Sequence, residues 1–169
     1  HQLSTYIDDY HSWLDHETNA EHPATEIISE LYVPRAALSA FLAEAADDFR
    51  LNRVDCIYGT IRLIEQDTET FLSWAKKPYA CVIFNLHIEH SAAGRARARD
   101  AFRRLIDIGI AHGGSYYPTY HRHALRGQVE TCYPQFANFL ARKRRHDPAE
   151  RFQSDWYRHY KKMFDVDRV

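Results

Sequence analysis

The stretch YACVIFNLHI at residues 79–88 is apolar for most of its length. Such a run is typical of a strand covered on both faces, so it predicts a central strand. Two other stretches are strand-like: EIISELYVP at residues 26–34, which stops at a proline, and VDCIYGTIRLI at residues 54–64. Both are rich in β-branched or aromatic residues, which favours a sheet in which residues 79–88 are central.

Two long helical patterns separate or follow these strands. Residues 35–49 carry a stripe of apolar side chains after Pro34, a residue that suits the first turn of a helix. Residues 91–112 form the longest predicted helix, and Gly113 and Gly114 stop it.

Shorter helical patterns fill the rest of the chain. The sequence predicts an amphipathic helix within residues 1–22, a short helix carrying Phe71, Leu72 and Trp74, a helix over 128–145 broken at Tyr133-Pro134, and an aromatic-rich tail over 152–164. The order is β-α-β-α-β-α with a helical tail. It predicts an α+β fold: a ferredoxin-like two-layer sandwich whose mostly antiparallel sheet has helices on one face, in a single domain spanning 1–169.

Charge and composition exclude several classes of protein. The formal net charge of −1 lacks the basic surplus that nucleic acid binding needs. No apolar run approaches the roughly 20 residues of a membrane span. Three cysteines without a CxxC motif indicate free thiols and a cytoplasmic setting. No GxGxxG or GxxxxGK[ST] turn is present, so any nucleotide cofactor must be held elsewhere.

The segment SYYPTYHR at residues 115–122 carries the most chemistry. Tyr117, Tyr120, His121 and Arg122 follow a glycine pair that permits close backbone approach. Phenol and imidazole groups in a ring-lined cleft suit orientation of a small hydroxylated substrate and proton transfer. A strand whose rings pack on the core explains the same residues, and the pattern leaves both interpretations open.

Polar residues interrupt two of the strands. Arg62 lies inside TIRLI, and a structural ion pair with Glu30 or an anion-binding role would each explain it. Asn85, inside VIFNLH, needs hydrogen bonds from the core or from a ligand. The pairs His87-x-x-His90 and His121-x-His123 have short metal-ligand spacings, but no Cys or carboxylate joins either pair at a recognisable spacing.

The order of these motifs resembles the C-terminal halves of the FAD-linked oxidases of the vanillyl-alcohol-oxidase (PCMH-type) superfamily. It covers residues 26–164 and includes ELYVP, TIRLI, VIFNLH, GGSYYPTYHRHA, CYPQFANFL, KRRHDPAERF and SDWYRHY. The resemblance implies an FAD-binding N-terminal domain of the same polypeptide, which residues 1–22 would contact. The present domain would cap the isoalloxazine ring and form the substrate pocket.

The resemblance also assigns site residues. The family's strand motif Glu-Ile-Arg corresponds to Thr60-Ile61-Arg62, so threonine replaces the glutamate. Asn85 stands where the family has threonine, and Tyr117 and Tyr120 stand where it has histidine and lysine.

We therefore expect the domain to act with FAD in hydride transfer to or from a small hydroxylated or unsaturated substrate, and to be inactive alone. Candidate catalytic residues are Tyr120, His121 and Arg62; candidate substrate-binding residues are Asn85, Tyr117, Thr60 and Arg122. A stand-alone ligand-binding module and a histidine-metal hydrolase are the alternatives.

Overall fold

The computed structural model describes residues 9–165 of the 169-residue chain. Its helices are α1 (Tyr10–Glu17), α2 (Leu38–Asn52), α3 (Ala92–Ala111), α4 (Arg126–Cys132), α5 (Phe136–His146) and α6 (Asp155–Asp165), and its strands are β1 (Ala24–Pro34), β2 (Cys56–Ile64), β3 (Tyr79–Glu89) and β4 (Ser115–Tyr116). A short 3-10 turn, Arg35–Ala37, leads into α2.

The strands form one sheet in the order β2-β3-β1-β4, and every neighbouring pair is antiparallel. From β1 to β4 the chain runs β-α-β-β-α-β, the order of a ferredoxin-like sandwich. The α+β prediction and the central position of residues 79–88 are therefore confirmed. β4 lies in the segment for which a strand was one of the two interpretations of the sequence, although two residues are too short to show a period.

One face of the sheet carries the main core. Alternate residues of β3, such as Val82 and Leu86, pack with Leu31 of β1 against Phe41 of α2 and Phe102 of α3. Because side chains alternate across a strand, the intervening residues point to the opposite side, here called the open face. Helix α1 packs on one end of the open face.

α1 contacts that end of the open face through polar side chains. Nε2 of His87, whose side chain is 2% exposed, lies 3.1 Å from the Asp15 carboxylate of the helix. His11 lies 3.7 Å from Glu26 of β1. The first half of the predicted N-terminal helix, with Leu3, Tyr6 and Ile7, lies outside the described residues.

The glycine pair shapes the turn from α3 into β4. Gly113 adopts a left-handed φ of 71°, which ends the helix. A Cβ built on Gly114 would lie 2.1 Å from the carbonyl oxygen of Tyr32, so only glycine lets the chain pass this close to β1. This is the close backbone approach that the sequence predicts.

The short helix predicted around Phe71 and Trp74 is absent, and that prediction is wrong. Residues 65–78 form an irregular loop between β2 and β3. Asp67 organises it, since its carboxylate accepts hydrogen bonds from the backbone N–H groups of Glu69 and Thr70, both at 3.0 Å. Aspartate side chains that bond nearby backbone in this way compete with helix formation.

The C-terminal helices close the end of the sheet beside β4. The predicted break at Tyr133-Pro134 separates α4 from α5, as the sequence indicates. Tyr133, Phe136 and Tyr160 are all buried in the main core. Among residues 9–165, no helix is both long and apolar enough to cross a membrane.

Candidate functional site

An aromatic cleft of about 680 Å³ opens between the open face, the 65–78 loop, the segment after β4 and the C-terminal helices. Glu30, Tyr32 and Arg62 contribute from the sheet. The remaining lining residues come from the loops and from α5 and α6: Thr70, Leu72, Trp74, Tyr117, Pro118, Thr119, Tyr120, Tyr133, Phe139 and Trp156. A ring-lined concavity with a few convergent polar groups is the usual form of a small-molecule site.

The strand register explains which polar residues meet on the open face. Thr60 stands opposite Ile83, which stands opposite Glu30; one step along, Arg62 stands opposite Cys81, which stands opposite Tyr32. These rows run across β2, β3 and β1. The period of two therefore places Thr60, Arg62 and Glu30 on the same side of the sheet.

Arg62 does not form the structural ion pair that one interpretation of the sequence offered. Within residues 9–165, no carboxylate lies within 4 Å of its guanidinium and no hydrogen bond engages it. Its charge nevertheless acts in the cleft, because it lowers the pKa of Cys81 and of Tyr120 against larger opposing effects. An unpaired guanidinium at a cleft wall is free to bind an anion or a carbonyl oxygen.

Glu30 is the carboxylate at the floor of the cleft. The Tyr32 hydroxyl donates to its Oε1 at 2.7 Å, and the Cys81 thiol donates to the same oxygen at 3.2 Å. Burial first, and then this carboxylate, raise the pKa of Tyr32 and raise that of Cys81 to about 12. Both groups are therefore protonated donors at neutral pH.

Tyr117 and Tyr120 lie together, as the sequence predicts. Their ring centroids are 5.3 Å apart, and the backbone N–H of Tyr117 donates to the Glu30 carbonyl at 2.9 Å. Tyr120 is 46% exposed. Partial burial and then the charge of Glu30 raise the pKa of its phenol.

His121 lies apart from the cleft, on the helical side of the sheet. It is 6% exposed, and its ring stacks on Phe102 with centroids 4.2 Å apart. Burial and then His123 lower the pKa of His121 to about 3, so the ring is neutral at ordinary pH. The chain reverses direction at Pro118 and residue 119, which returns His121 to the core. The structure thus separates it from the proton-transfer position that the resemblance implies.

Three other predicted residues are not among the residues that line the cleft. Asn85 shares the open face but is buried, and its Nδ2 donates to a carboxylate oxygen of Glu26. Arg122 is directed toward α6, where its guanidinium lies 3.9 Å from Asp155. Thr60 is exposed on β2 in the row beside Arg62, at the margin of the cleft.

Within residues 9–165, neither histidine pair is joined by further ligands that could complete a metal site. The rings of His121 and His123 stack with centroids 5.5 Å apart, and His90 hydrogen-bonds to Thr25. In the described part of the chain, no three His, Cys, Asp or Glu side chains are grouped so that they could hold a metal ion.

Sequence reasoning missed several cleft residues. Glu30 was considered only as a partner for Arg62, although it and Tyr32 follow the period of two that marks one face of β1. Trp74 was assigned to a helix, and its ring instead packs on Tyr32 with centroids 5.4 Å apart. Trp156 lies far along the sequence from the other residues of the cleft, and no local pattern predicted that it would line the cleft.

Comparison with known proteins assigns no family to this chain. No model of a known protein family matches this chain, and no curated protein matches it either.

Proposed function

We propose that this chain is the C-terminal cap and substrate-binding domain of an FAD-dependent oxidoreductase. The observation that carries the proposal is the meeting of Arg62, Tyr117 and Tyr120 in one cleft on the open face of a ferredoxin-like sheet. Arg62 lies far from the two tyrosines in the sequence, and the resemblance to FAD-linked oxidases had assigned all three residues to one site.

The residues at the cleft suit one edge of a flavin. The isoalloxazine ring is planar and carries carbonyl oxygens and ring nitrogens that accept hydrogen bonds. Arg62 and Thr60 supply donors on the exposed side of β2, and these two residues would hold that edge. FAD, when bound, supplies a hydride acceptor at its N5 position. The adenine dinucleotide part would be held by an N-terminal domain of the same polypeptide.

The aromatic walls would select and orient the substrate. Tyr117, Tyr120 and Trp74 offer flat surfaces and phenol groups around the volume next to Arg62. Such walls exclude water and hold a small hydroxylated or unsaturated molecule in one orientation. The three free cysteines are compatible with a reducing, cytoplasmic setting.

A stand-alone ligand-binding module is the second candidate. It is favoured by the fact that residues 9–165 line the whole cleft by themselves, so a ligand could bind without another domain. The histidine-metal hydrolase is not proposed, because the described residues group no third ligand with either histidine pair.

The visible absorption spectrum separates the two candidates. The full-length gene product that contains this chain is purified beside the 169-residue chain, each with and without added FAD. We expect flavin absorbance in the longer protein and none in the chain alone. If neither preparation bound flavin, the oxidoreductase proposal would be abandoned and the ligand-binding module would be preferred.

A further inference from the structure

We propose that Glu30 is the proton acceptor of the cleft and takes the hydroxyl proton of the substrate, while Tyr120 remains a protonated hydrogen-bond donor. This inference rests on the proposed function for its chemistry. Its geometry is independent of any flavin, because every group involved belongs to residues 9–165.

Glu30 is well placed for this role. Among the described residues that line the cleft, it is the one carboxylate. It lies in the same strand row as Thr60, with Ile83 between them. At about 4.8 Å per strand, the Glu30 backbone is roughly 10 Å from the Thr60 backbone. The motif Thr60-Ile61-Arg62 on β2 contains no acidic residue. Glu30 on β1 supplies a carboxylate in the same row of the sheet.

Hydrogen-bond donors and a cation surround the Glu30 carboxylate. Three donors face it from different elements: the Tyr32 phenol on β1, the Cys81 thiol on β3 and the Tyr120 phenol after β4. Arg62 on β2 is the cation of the same cleft. The carboxylate is thus held at the floor of the cleft, within reach of a substrate hydroxyl group.

Tyr120 has the opposite character. Partial burial and the neighbouring Glu30 charge both raise its pKa, so the phenol is protonated at neutral pH. A protonated phenol can donate to the substrate oxygen but cannot remove its proton. His121, the other predicted proton-transfer residue, lies on the far side of the sheet. Glu30 is the remaining acceptor near the cleft.

The step balances for oxidation of an alcohol. The O–H bond of the substrate breaks and its proton goes to the Glu30 carboxylate. The C–H bond would break with its electron pair, for which bound FAD would supply the hydride acceptor, and the carbon and oxygen would form a carbonyl group. Arg62 and Tyr120 donate hydrogen bonds that hold the oxygen in place.

The first test measures the link between Glu30 and Tyr120 in the 169-residue chain. Tyrosine labelled with ¹³C at Cζ is titrated by NMR, with signals assigned from Tyr120→Phe and Tyr10→Phe. Glu30→Gln is expected to lower the pKa of Tyr120, because it removes the nearby negative charge. Glu26→Gln is the matched control on the same strand and face. It is expected to lower the pKa of Tyr10, which Glu26 raises, and to leave Tyr120 unchanged.

The second test asks whether Glu30 accepts a hydrogen bond from a hydroxyl group. Benzyl alcohol and toluene, which lacks the hydroxyl, are titrated into the chain while the ¹³Cζ signal of Tyr120 and the indole N–H signal of Trp74 are followed. Glu30→Gln is expected to weaken benzyl alcohol binding about 5-fold and to leave toluene binding unchanged. Glu26→Gln is expected to bind both probes like the wild type.

The outcomes distinguish this inference from the proposed function. A Tyr120 pKa that is unchanged in Glu30→Gln would overturn the inference, whatever the flavin spectrum shows. The inference would also be overturned if neither benzyl alcohol nor toluene bound the chain. It would be overturned too if Glu30→Gln weakened the binding of both probes equally. Conversely, absent flavin in the longer protein would remove the oxidoreductase proposal even if the two tests succeed, and with it the proton-accepting role.

Discussion

The indole N–H of Trp156 donates a hydrogen bond of 2.7 Å to the carbonyl oxygen of Pro118. Trp156 belongs to α6, and Pro118 belongs to the segment that carries Tyr117 and Tyr120. The bond therefore ties the last helix of the described chain to the wall of the cleft, although 38 residues separate the two partners. Trp156 also packs on Phe136, with ring centroids 5.6 Å apart.

Replacing this indole should loosen the cleft wall. Trp156→Phe keeps a ring in the core but removes the donor, which leaves the Pro118 carbonyl without its bond. We expect a loss of about 1–3 kcal/mol in the free energy of unfolding, measured by urea denaturation. Trp13→Phe is the control, because Trp13 is 46% exposed, and it should change stability by less than about 0.5 kcal/mol. Equal effects of the two variants would show that the bond contributes nothing.

Gly114 gives a second stability prediction. A Cβ at this position would lie 2.1 Å from the Tyr32 carbonyl oxygen, which is backbone and cannot rotate away. Gly114→Ala is therefore expected to cost about 3 kcal/mol or more, or to prevent folding. Gly127→Ala is the control: that Cβ would meet nothing within 4 Å, and alanine favours its helix, α4. Circular dichroism and urea denaturation compare the two, and a stable Gly114→Ala protein would contradict the close approach.

Much of the fold follows from local sequence patterns. The apolar run at 79–88 is the central strand because both of its faces are covered. The period of two also places Thr60 and Arg62 on one face of β2. These features depend only on near neighbours in the chain, which is why the sequence reveals them.

The rest of the site depends on long-range contacts. Trp74 reaches the cleft because Asp67 folds its loop, and apolar spacing alone had suggested a helix there. Tyr120 and His121 are adjacent in the sequence but lie on opposite sides of the sheet. The reversal at Pro118 decides this, and no periodic pattern marks it.

The contact between α1 and the sheet gives a third prediction. Asp15 Oδ1 lies 3.1 Å from Nε2 of the buried His87 without hydrogen-bond geometry, and Asp15→Ala would remove this polar contact. We expect a loss of about 1–3 kcal/mol and faster hydrogen exchange in α1. Glu17→Ala removes an acid from the same helix at an exposed site, and its exchange should match the wild type. Unchanged exchange in Asp15→Ala would mean that other contacts hold α1.

Arg62 gives a prediction for the full-length protein. Because its guanidinium has no partner within residues 9–165, its loss should leave the fold intact and affect the site alone. In the proposed FAD-dependent enzyme, Arg62→Met is expected to lower turnover about 10-fold or more and to shift the flavin absorption maxima. Arg99→Met is the control, since Arg99 pairs with Asp100 on the helical side. Wild-type turnover and spectrum in Arg62→Met would remove this residue from the proposed site.

The buried His121 predicts how stability depends on pH. Burial lowers its pKa from 6.5 to about 3 in the folded chain, whereas the unfolded chain titrates near the ordinary value. Between these pH values the unfolded state binds more protons than the folded state, so stability falls as the pH falls from 6.5 toward 3. Above pH 6.5 both states hold a neutral ring and the contribution disappears.

His121→Phe tests this linkage, because phenylalanine can keep the stacking on Phe102 and has no proton to bind. Its stability should fall less steeply below pH 6.5, by up to about 1.4 kcal/mol per pH unit compared with the wild type. His16→Gln removes a histidine whose side chain is 86% exposed, and its curve should parallel that of the wild type. Urea denaturation from pH 4 upward measures the free energy of unfolding of the wild type and both variants. If the stability of His121→Phe and of the wild type fell in parallel with pH, His121 would bind its proton as readily in the folded chain as in the unfolded chain. That result would contradict the burial of His121 against Phe102.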